Sequence, residues 1–141
     1  MAILFHDEKI ISGLKRKRAI KSWILSVIEA EKKSAGSINI ILTNDSYLLE
    51  INRIYLSRDY YTDIISFDYS EGNNISGDLF ISLERIKENS KSFKQEEETE
   101  LLRVIIHGIL HLIGYSDSDE NKKRKMRIME DKYLNSFPYY G

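Results

Sequence analysis

Residues 96–117 read EEETELLRVIIHGILHLIGYSD, and this stretch decides most of what the sequence predicts. Apolar residues recur throughout its middle part, which favours a helix that is buried in a protein core. The acidic first turn suits the positive end of a helix dipole, so we predict a helix over Glu96–Ile113. Gly114 offers a place to end that helix, because glycine enters the left-handed conformation without a Cβ penalty.

Two histidines of this stretch are spaced for a metal ion. His107 and His111 are four residues apart, so they lie on one face of the predicted helix and can bind the same ion. A chain that turns back at Gly114 brings Asp117 to the same place as a third ligand. Three protein ligands leave a fourth position open, as in catalytic zinc sites. The alternative is a pair of histidines that are each satisfied inside the core.

The remaining sequence alternates short β-branched runs with amphipathic segments. We therefore predict the order βαβαββααα and an α/β fold of the α+β type, with one mixed sheet of about four strands and about five helices. We predict that the metal site lies at the end of a buried helix. We also predict that residues 1–141 form one domain. The other predicted elements are strands at Ala2–His6, Ser37–Leu42, Asp63–Tyr69 and Asp78–Ser82, and helices at Gly13–Lys33, after the capping residues Thr43–Asp45, and at Leu83–Lys94 and Asp119–Tyr133.

Composition limits the class of protein. The net charge of the 141 residues is −1, so no overall field attracts a polyanion. No cysteine is present, which excludes a disulfide framework and a thiolate metal site. The first ten residues, MAILFHDEKI, lack the pattern of a signal peptide, and the apolar runs are too short for a membrane span. We expect a cytoplasmic protein.

The residue after the first histidine bears on the substrate. The spacing is that of zinc proteases with the motif H-E-x-x-H-x-x-G-x-x-H, which need the glutamate as general base. Gly108 stands there and cannot take a proton, so peptide hydrolysis is disfavoured. Phosphodiester hydrolysis depends more on the metal and on cationic side chains, which favours a nuclease. Of the two basic clusters, Lys15–Arg18 and Lys122–Lys125, the second starts close to Asp117 and is the better candidate for RNA contact.

Three motifs together resemble one known family. The segment His107–Tyr115 (HGILHLIGY) is similar to the signature H-G-x-L-H-L-x-G-Y-D-H of the bacterial YbeY endoribonuclease family. Asn52 and Tyr55, followed by Thr62–Phe67 (TDIISF), resemble its N-x-x-[FY]-R-x-K-[DN]-x-P-T-[DN]-V-L-S-F motif. Gly77–Ser82 (GDLFIS) resembles its G-D-I-x-I-S strand. The matches keep the order that the family has.

The resemblance implies a metal-dependent, single-strand-specific endoribonuclease, and we expect the metal to be zinc. It implies maturation of the 3′ end of the 16S rRNA and a part in ribosome quality control, with single-stranded rRNA, the small ribosomal subunit and its assembly factors as partners. Neither a membrane nor DNA is expected as a partner. One Zn²⁺ ion, or another divalent transition metal, would be held by His107, His111 and Asp117, with both histidines also counted as catalytic.

The sequence departs from the family pattern at several positions. Asp117 stands where the family has its third histidine ligand, and an aspartate remains an acceptable zinc ligand. The family's catalytic arginine aligns with Leu56, and its nearby lysine aligns with Arg58. The proline before the Thr-Asp pair is Tyr61, and the aspartate before the third ligand is Ser116. We expect Arg58 to stabilise the charge that develops on the phosphate in place of the missing arginine.

Two other functions stay open at this point. One is a metallopeptidase-like hydrolase, which Gly108 disfavours. The other is a ribosome-binding or RNA-binding factor whose metal is only structural, and Leu56 keeps this reading open because the expected phosphate clamp is absent. Cleavage of single-stranded RNA separates the nuclease from both.

Overall fold

The computed structural model describes residues 2–58 and 62–138. Within these residues the chain forms four strands and five helices in the predicted order. Each predicted element is present, so the fold class is confirmed. The elements are β1 (Ala2–Asp7), α1 (Lys17–Ala30), β2 (Ser34–Thr43), α2 (Asp45–Leu56), β3 (Ile64–Asp68), β4 (Asn74–Ser82), α3 (Leu83–Ser92), α4 (Glu97–Ile113) and α5 (Glu120–Asn135).

The four strands form one mixed sheet in the order β1-β2-β4-β3. β1, β2 and β4 are parallel to one another, and β3 pairs with β4 in the antiparallel sense. A short turn joins β3 to β4, with Gly72 in the left-handed region at a φ of 57° and paired backbone groups between Glu71 and Asn74. This hairpin places β3 at the sheet edge beside α4.

The predicted buried helix, α4, fills the centre of the core. Ile105, Ile106 and Ile109 are fully buried, as their spacing on one helix face requires. Gly108 lets α4 approach the sheet closely, because a Cβ there would lie 2.8 Å from Cδ1 of Ile64. The position that carries a catalytic glutamate in zinc proteases therefore faces the sheet, and space as well as chemistry disfavours a long side chain there.

The other helices complete two unequal layers. α1, α4 and α5 belong to the main core, in which the indole nitrogen of Trp23 donates a hydrogen bond of 2.8 Å to the carbonyl oxygen of Tyr133. α2 covers part of the opposite sheet face through a smaller apolar cluster of Leu48, Ile51 and Ile65. Among the described residues, no helix combines the length and the apolar character that a bilayer crossing requires.

Four predicted boundaries were wrong by three or four residues. β4 begins at Asn74 rather than Asp78, and α1 ends at Ala30 rather than Lys33. The starts of α1 and β2 also differ from the prediction. The prediction extended α1 back to Gly13, but the helix begins at Lys17. Ser12 instead accepts a hydrogen bond from the backbone nitrogen of Leu14 at 3.2 Å, and Gly13 has a φ of 60°, so these residues form a turn. β2 begins at Ser34 rather than Ser37, because its small first residues pair with β4.

Candidate active site

The two histidines of α4 point at one another and at the loop that follows the helix. The Nε2 atoms of His107 and His111 are 2.9 Å apart. Oδ2 of Asp117 lies 3.5 Å from each of these nitrogens. These three residues form a group of potential metal ligands, in which the histidine side chains are about a quarter exposed and Asp117 is 45% exposed. The structure therefore brings together the three residues that the sequence predicts as ligands.

The loop after α4 is fixed so that Asp117 reaches the histidines. Gly114 ends the helix with a φ of 122°, as predicted, and its backbone nitrogen donates to the carbonyl oxygens of Leu110 and His111. The next residue, Tyr115, donates a hydrogen bond of 2.6 Å from its hydroxyl to Oε1 of Glu31 at the end of α1. Burial and this carboxylate raise the pKa of Tyr115 to about 12, so the hydroxyl stays a donor at neutral pH.

Hydrogen bonds on the far side of each ring set the protonation of the pair. Nδ1 of His111 is 3.1 Å from the carbonyl oxygen of Tyr115, and a carbonyl can only accept, so Nδ1 carries the proton. Nδ1 of His107 is 2.6 Å from Oε2 of Glu130, which accepts in the same way. Both Nε2 lone pairs, and a carboxylate oxygen of Asp117, therefore converge on one point. Such an arrangement needs a cation or a proton between the three acceptors.

The dimensions and chemistry of this group fit a zinc ion. Ligand atoms at about 2.0–2.2 Å from a tetrahedral zinc lie about 3.3–3.6 Å from one another. The separation of 3.5 Å from each histidine nitrogen to the carboxylate oxygen lies within this range. The two histidine nitrogens are closer, at 2.9 Å, and would have to move apart by about 0.4 Å to bind the ion. Two imidazoles and one carboxylate are a common donor set for catalytic zinc, and they also suit other divalent transition metals.

Glu130 is a residue of the site that sequence reasoning missed. It lies on α5, is only 5% exposed, and uses one carboxylate oxygen for His107 and the other for Arg103, whose Nη1 donates at 2.9 Å. Arg103 also donates to Asp131 at 2.7 Å. A carboxylate bonded to the distal nitrogen of a ligand histidine fixes the ring orientation and makes it a better ligand. No spacing rule in the sequence links two residues that lie 23 positions apart on different helices.

The two histidines differ in their electrostatic surroundings. Burial lowers the pKa of His107, but the hydrogen bond and charge of Glu130, with the charge of Asp117, outweigh that effect and raise it. Burial and the neighbouring His107 both act to lower the pKa of His111. His111 is therefore the imidazole that is more readily neutral, as a ligand must be.

A cavity of about 560 Å³ opens in front of the three potential ligands. Arg58 lines it, as do Thr62, Asp63 and Ser66 of the TDIISF segment that resembles the family motif. Burial is the main cause that raises the pKa of Asp63, whose Oδ2 accepts a hydrogen bond of 3.3 Å from Asn89. The structure thus places the predicted cationic side chain on the same cavity as the histidine pair, and its catalytic role stays a prediction.

The end of α2 explains why Leu56 is partly buried and Arg58 is exposed. Leu56 is the last residue of the helix and packs against the small apolar cluster while lining the cavity. Ser57 turns the chain with a φ of 52°, and the backbone nitrogen of Arg58 donates to the carbonyl oxygen of Asn52 at 3.0 Å. The turn leaves Arg58 exposed at the cavity edge. The departure at Tyr61 lies outside the described residues.

The two basic clusters occupy different surroundings. In the first, Arg16 makes an ion pair of 3.5 Å with Glu98 and its guanidinium lies over the ring of Phe137, which are structural contacts. In the second, Lys123 lines a cavity together with His107 and Asp117. The preference for the second cluster as an RNA contact therefore agrees with its position, although contact with RNA remains a prediction.

Comparisons with known proteins agree with these observations. The family model described as Endoribonuclease YbeY matches residues 3–138. The chain is 46% identical over 138 residues to an Endoribonuclease YbeY of Parabacteroides distasonis, with 98% of this chain and 97% of the relative covered. It is 52% identical over 116 residues to one of Flavobacterium psychrophilum, covering 82% and 83%. The solution structure of TM1509 from Thermotoga maritima superposes with a TM-score of 0.72 at 26% identity, covering 97% of this chain and 89% of that one.

Proposed function

The chain belongs to the Endoribonuclease YbeY family and is an endoribonuclease, and from this premise we propose that it is zinc-dependent and cuts single-stranded ribosomal RNA. We further propose that it matures the 3′ end of 16S rRNA, that it takes part in ribosome quality control, and that it does so in the cytoplasm. Its proposed partners are the small ribosomal subunit and the assembly factors bound to it. Residues 1–141 would act as one hydrolase domain.

One observation carries the proposal of a metal-dependent reaction. Three acceptor atoms, from His107, His111 and Asp117, converge within hydrogen-bonding distance of one another at the wall of a cavity. Partly buried hydrogen bonds fix the position of two of these residues. His107 bonds to Glu130, and the hydroxyl of Tyr115 bonds the loop of Asp117 to Glu31 at the end of α1. Mutual repulsion between acceptors is tolerated when the group serves to bind a cation.

The residues of the chain have separate duties in the proposed reaction. A divalent ion, when bound, supplies a Lewis acid for a phosphoryl oxygen and lowers the pKa of a water molecule. His107, His111 and Asp117 hold that ion, and Glu130 keeps the ring of His107 in the orientation required of a ligand. Arg58, at the cavity edge, would bind the phosphate and stabilise the negative charge that grows on it.

The size of the cavity supports a preference for unpaired RNA. About 560 Å³ is within the range of pockets that enclose one small ligand. A nucleotide that is splayed out of its stack can enter such a space, whereas a duplex presents its phosphates on a wide, rigid surface. Proteins that act on individual nucleotides generally use single-stranded or locally unpaired substrates.

A direct test uses a precursor of the 16S rRNA 3′ end. The purified protein should cut the unpaired extension and leave the same sequence intact when a complementary strand is annealed to it. The His111→Ala variant, purified in the same way, is the control for contaminating nucleases. Equal cleavage by the wild type and by this variant would contradict the proposal, and RNA binding without cleavage would favour a binding factor with a structural metal.

A further inference from the structure

A second cavity of about 460 Å³ lies on the other side of the candidate metal ligands. Asp63, Ile64, His107 and Asp117 line both cavities, so these residues form the partition between them. An endonuclease has to hold the chain on both sides of the bond that it cuts. The first cavity, which Arg58 lines, has room for the RNA on one side of that bond. Phe93, Glu100 and Arg127 line only the second cavity, and they lie outside the family motifs quoted above.

We propose that this second cavity binds one nucleotide of the RNA, with its base inside and its phosphate at the rim, on the opposite side of the scissile phosphate from Arg58. The proposal rests on the proposed nuclease function and deepens it. Three features of the cavity carry it: an exposed aromatic ring, a carboxyl group on the cavity wall that makes no hydrogen bond to the described residues, and two cationic side chains one helical turn apart.

The aromatic ring belongs to Phe93, the residue that ends α3. Its side chain lines the second cavity and remains 64% exposed, which is unusual for a phenylalanine in a chain with a well-filled core. Exposed aromatic rings beside cationic side chains are the means by which proteins stack on unpaired bases. Because every base has a π face, this contact would supply affinity without sequence preference.

The carboxyl group belongs to Glu100 in the first turn of α4. The residue is 5% exposed and lines the second cavity. Its backbone nitrogen bonds to Glu96, but within residues 2–58 and 62–138 its side chain makes no hydrogen bond to the protein. Burial is the main cause that raises its pKa, and the charge of Asp63 adds to that effect. The charges of Arg103 and Arg127 act in the opposite direction and lower it. Because no protein donor uses the carboxyl oxygens, they are open to hydrogen bonds from a ligand in the cavity.

Nucleobases differ in how well they satisfy a carboxylate. Guanine presents two adjacent N–H donors on its Watson–Crick edge, which match the two oxygens of a carboxylate. Uracil presents one N–H flanked by two carbonyl oxygens, which a carboxylate repels. The chemistry of Glu100 therefore predicts a preference for guanine over uracil in this cavity.

The two cations lie on α5. Lys123 and Arg127 are four residues apart, so they share one helix face, and both line the second cavity with exposed side chains. Lys123 also makes an exposed ion pair of 3.8 Å with Glu120, and such pairs are weak. The third cation of the cavity, Arg103, is bonded to Glu130 and Asp131. Cations at the rim and carboxyl groups inside orient a nucleotide with its phosphate outward.

Fluorescence anisotropy with two labelled pentanucleotides, UUGUU and UUUUU, tests the proposal on the whole protein. The wild type should bind UUGUU several-fold more tightly. Glu100→Gln, which keeps the shape of the side chain but exchanges one acceptor for a donor, should remove that preference. Phe93→Ala should weaken binding of both oligonucleotides by about tenfold. Arg127→Ala should weaken both as well, with a smaller slope of affinity against salt concentration.

Matched controls are available on the same elements. Glu97→Gln alters an exposed carboxyl group in the first turn of α4, and Lys132→Ala removes an exposed cation of α5 that lies outside the cluster Lys122–Lys125. Neither residue lines a cavity described above. Tyr69→Ala removes an aromatic ring that is 59% exposed elsewhere. These three variants should bind like the wild type. If Glu100→Gln unfolds the protein, Phe93→Ala still tests the cavity, because that side chain is exposed.

The outcomes separate this proposal from the proposed function. Wild-type binding by both Phe93→Ala and Glu100→Gln, in a protein that cleaves RNA, would overturn the second binding cavity and leave the nuclease function intact. A guanine preference that depends on Glu100, in a protein that never cleaves, would support the cavity and contradict the nuclease function.

Discussion

The cavity in front of the candidate metal ligands has two walls that are built in different ways. One wall is formed by α4, against which α5 packs, and the other is formed by α2 and β3. On the α4–α5 wall, a regular helix sets the spacing of His107 and His111, and the buried Glu130 bonds to His107 from behind. On the α2–β3 wall, Arg58 follows a helix end and its side chain is exposed. The comparison teaches that metal binding is fixed by local helical geometry and buried contacts. The proposed phosphate contact depends on the turn at Ser57, which places Arg58 at the edge of the cavity.

We expect the largest effect from removing a candidate metal ligand on the α4–α5 wall. His111→Ala removes one of three ligand atoms, so the variant should lose stoichiometric zinc binding and at least about 10³-fold of its RNA cleavage rate. Metal analysis after gel filtration and a cleavage assay measure the two quantities. A variant that keeps full cleavage after losing its metal would show that the reaction does not need this site.

Arg58→Ala tests the opposite wall. Removal of a charge that stabilises a transition state commonly costs about 10²-fold in rate, and we expect a loss of that size in kcat/KM for single-stranded RNA. Zinc affinity should not change, because Arg58 is not among the candidate ligands. Lys132→Ala, which removes an exposed cation of α5 outside the cluster Lys122–Lys125, is the matched control and should retain the wild-type rate. Loss of zinc binding in Arg58→Ala would mean that the two walls are not independent.

Glu130→Gln tests whether the hydrogen bond from Glu130 to His107 strengthens metal binding. Loss of a carboxylate behind a ligand histidine typically lowers metal affinity by about 10–100-fold, and we expect this range for zinc measured against a competing chelator. Asp131→Asn is the control, because Asp131 also bonds to Arg103 but is exposed and does not meet His107. If both substitutions lower zinc affinity equally, then Arg103, rather than Glu130, holds the site together.

We expect the smallest effect from a change in the packing between α4 and β3, the elements that bring the two walls together. Gly108→Ala adds a methyl group 2.8 Å from Cδ1 of Ile64 on β3, and overpacking of this kind costs about 1–3 kcal/mol. The better helix propensity of alanine offsets up to about 1 kcal/mol of that cost. Urea unfolding measures the net change. Adding Ile64→Val, which deletes the crowded methyl group, should restore part of the lost stability, and strict additivity of the two changes would contradict the contact.

On the α4–α5 wall, the sequence predicts the candidate metal ligands but not the residues that depend on how the helices pack. The ligands His107, His111 and Asp117 follow from a helix period and from the glycine that ends the helix, which are local properties. Glu130 and Glu100 could not be predicted in the same way, because their positions depend on how α5 packs against α4 and where the second cavity opens. The start of α1 was misplaced for a local reason, since the turn at Ser12 and Gly13 interrupts an otherwise regular pattern of apolar residues.

Titration of zinc into metal-free protein during RNA cleavage tests the central claim most directly. We expect no cleavage of single-stranded RNA before zinc is added. Activity should then rise in proportion to the zinc bound and reach its maximum at one ion per chain. Full cleavage by the metal-free protein, or no cleavage after one ion has bound, would contradict the claim that this site carries the nuclease reaction.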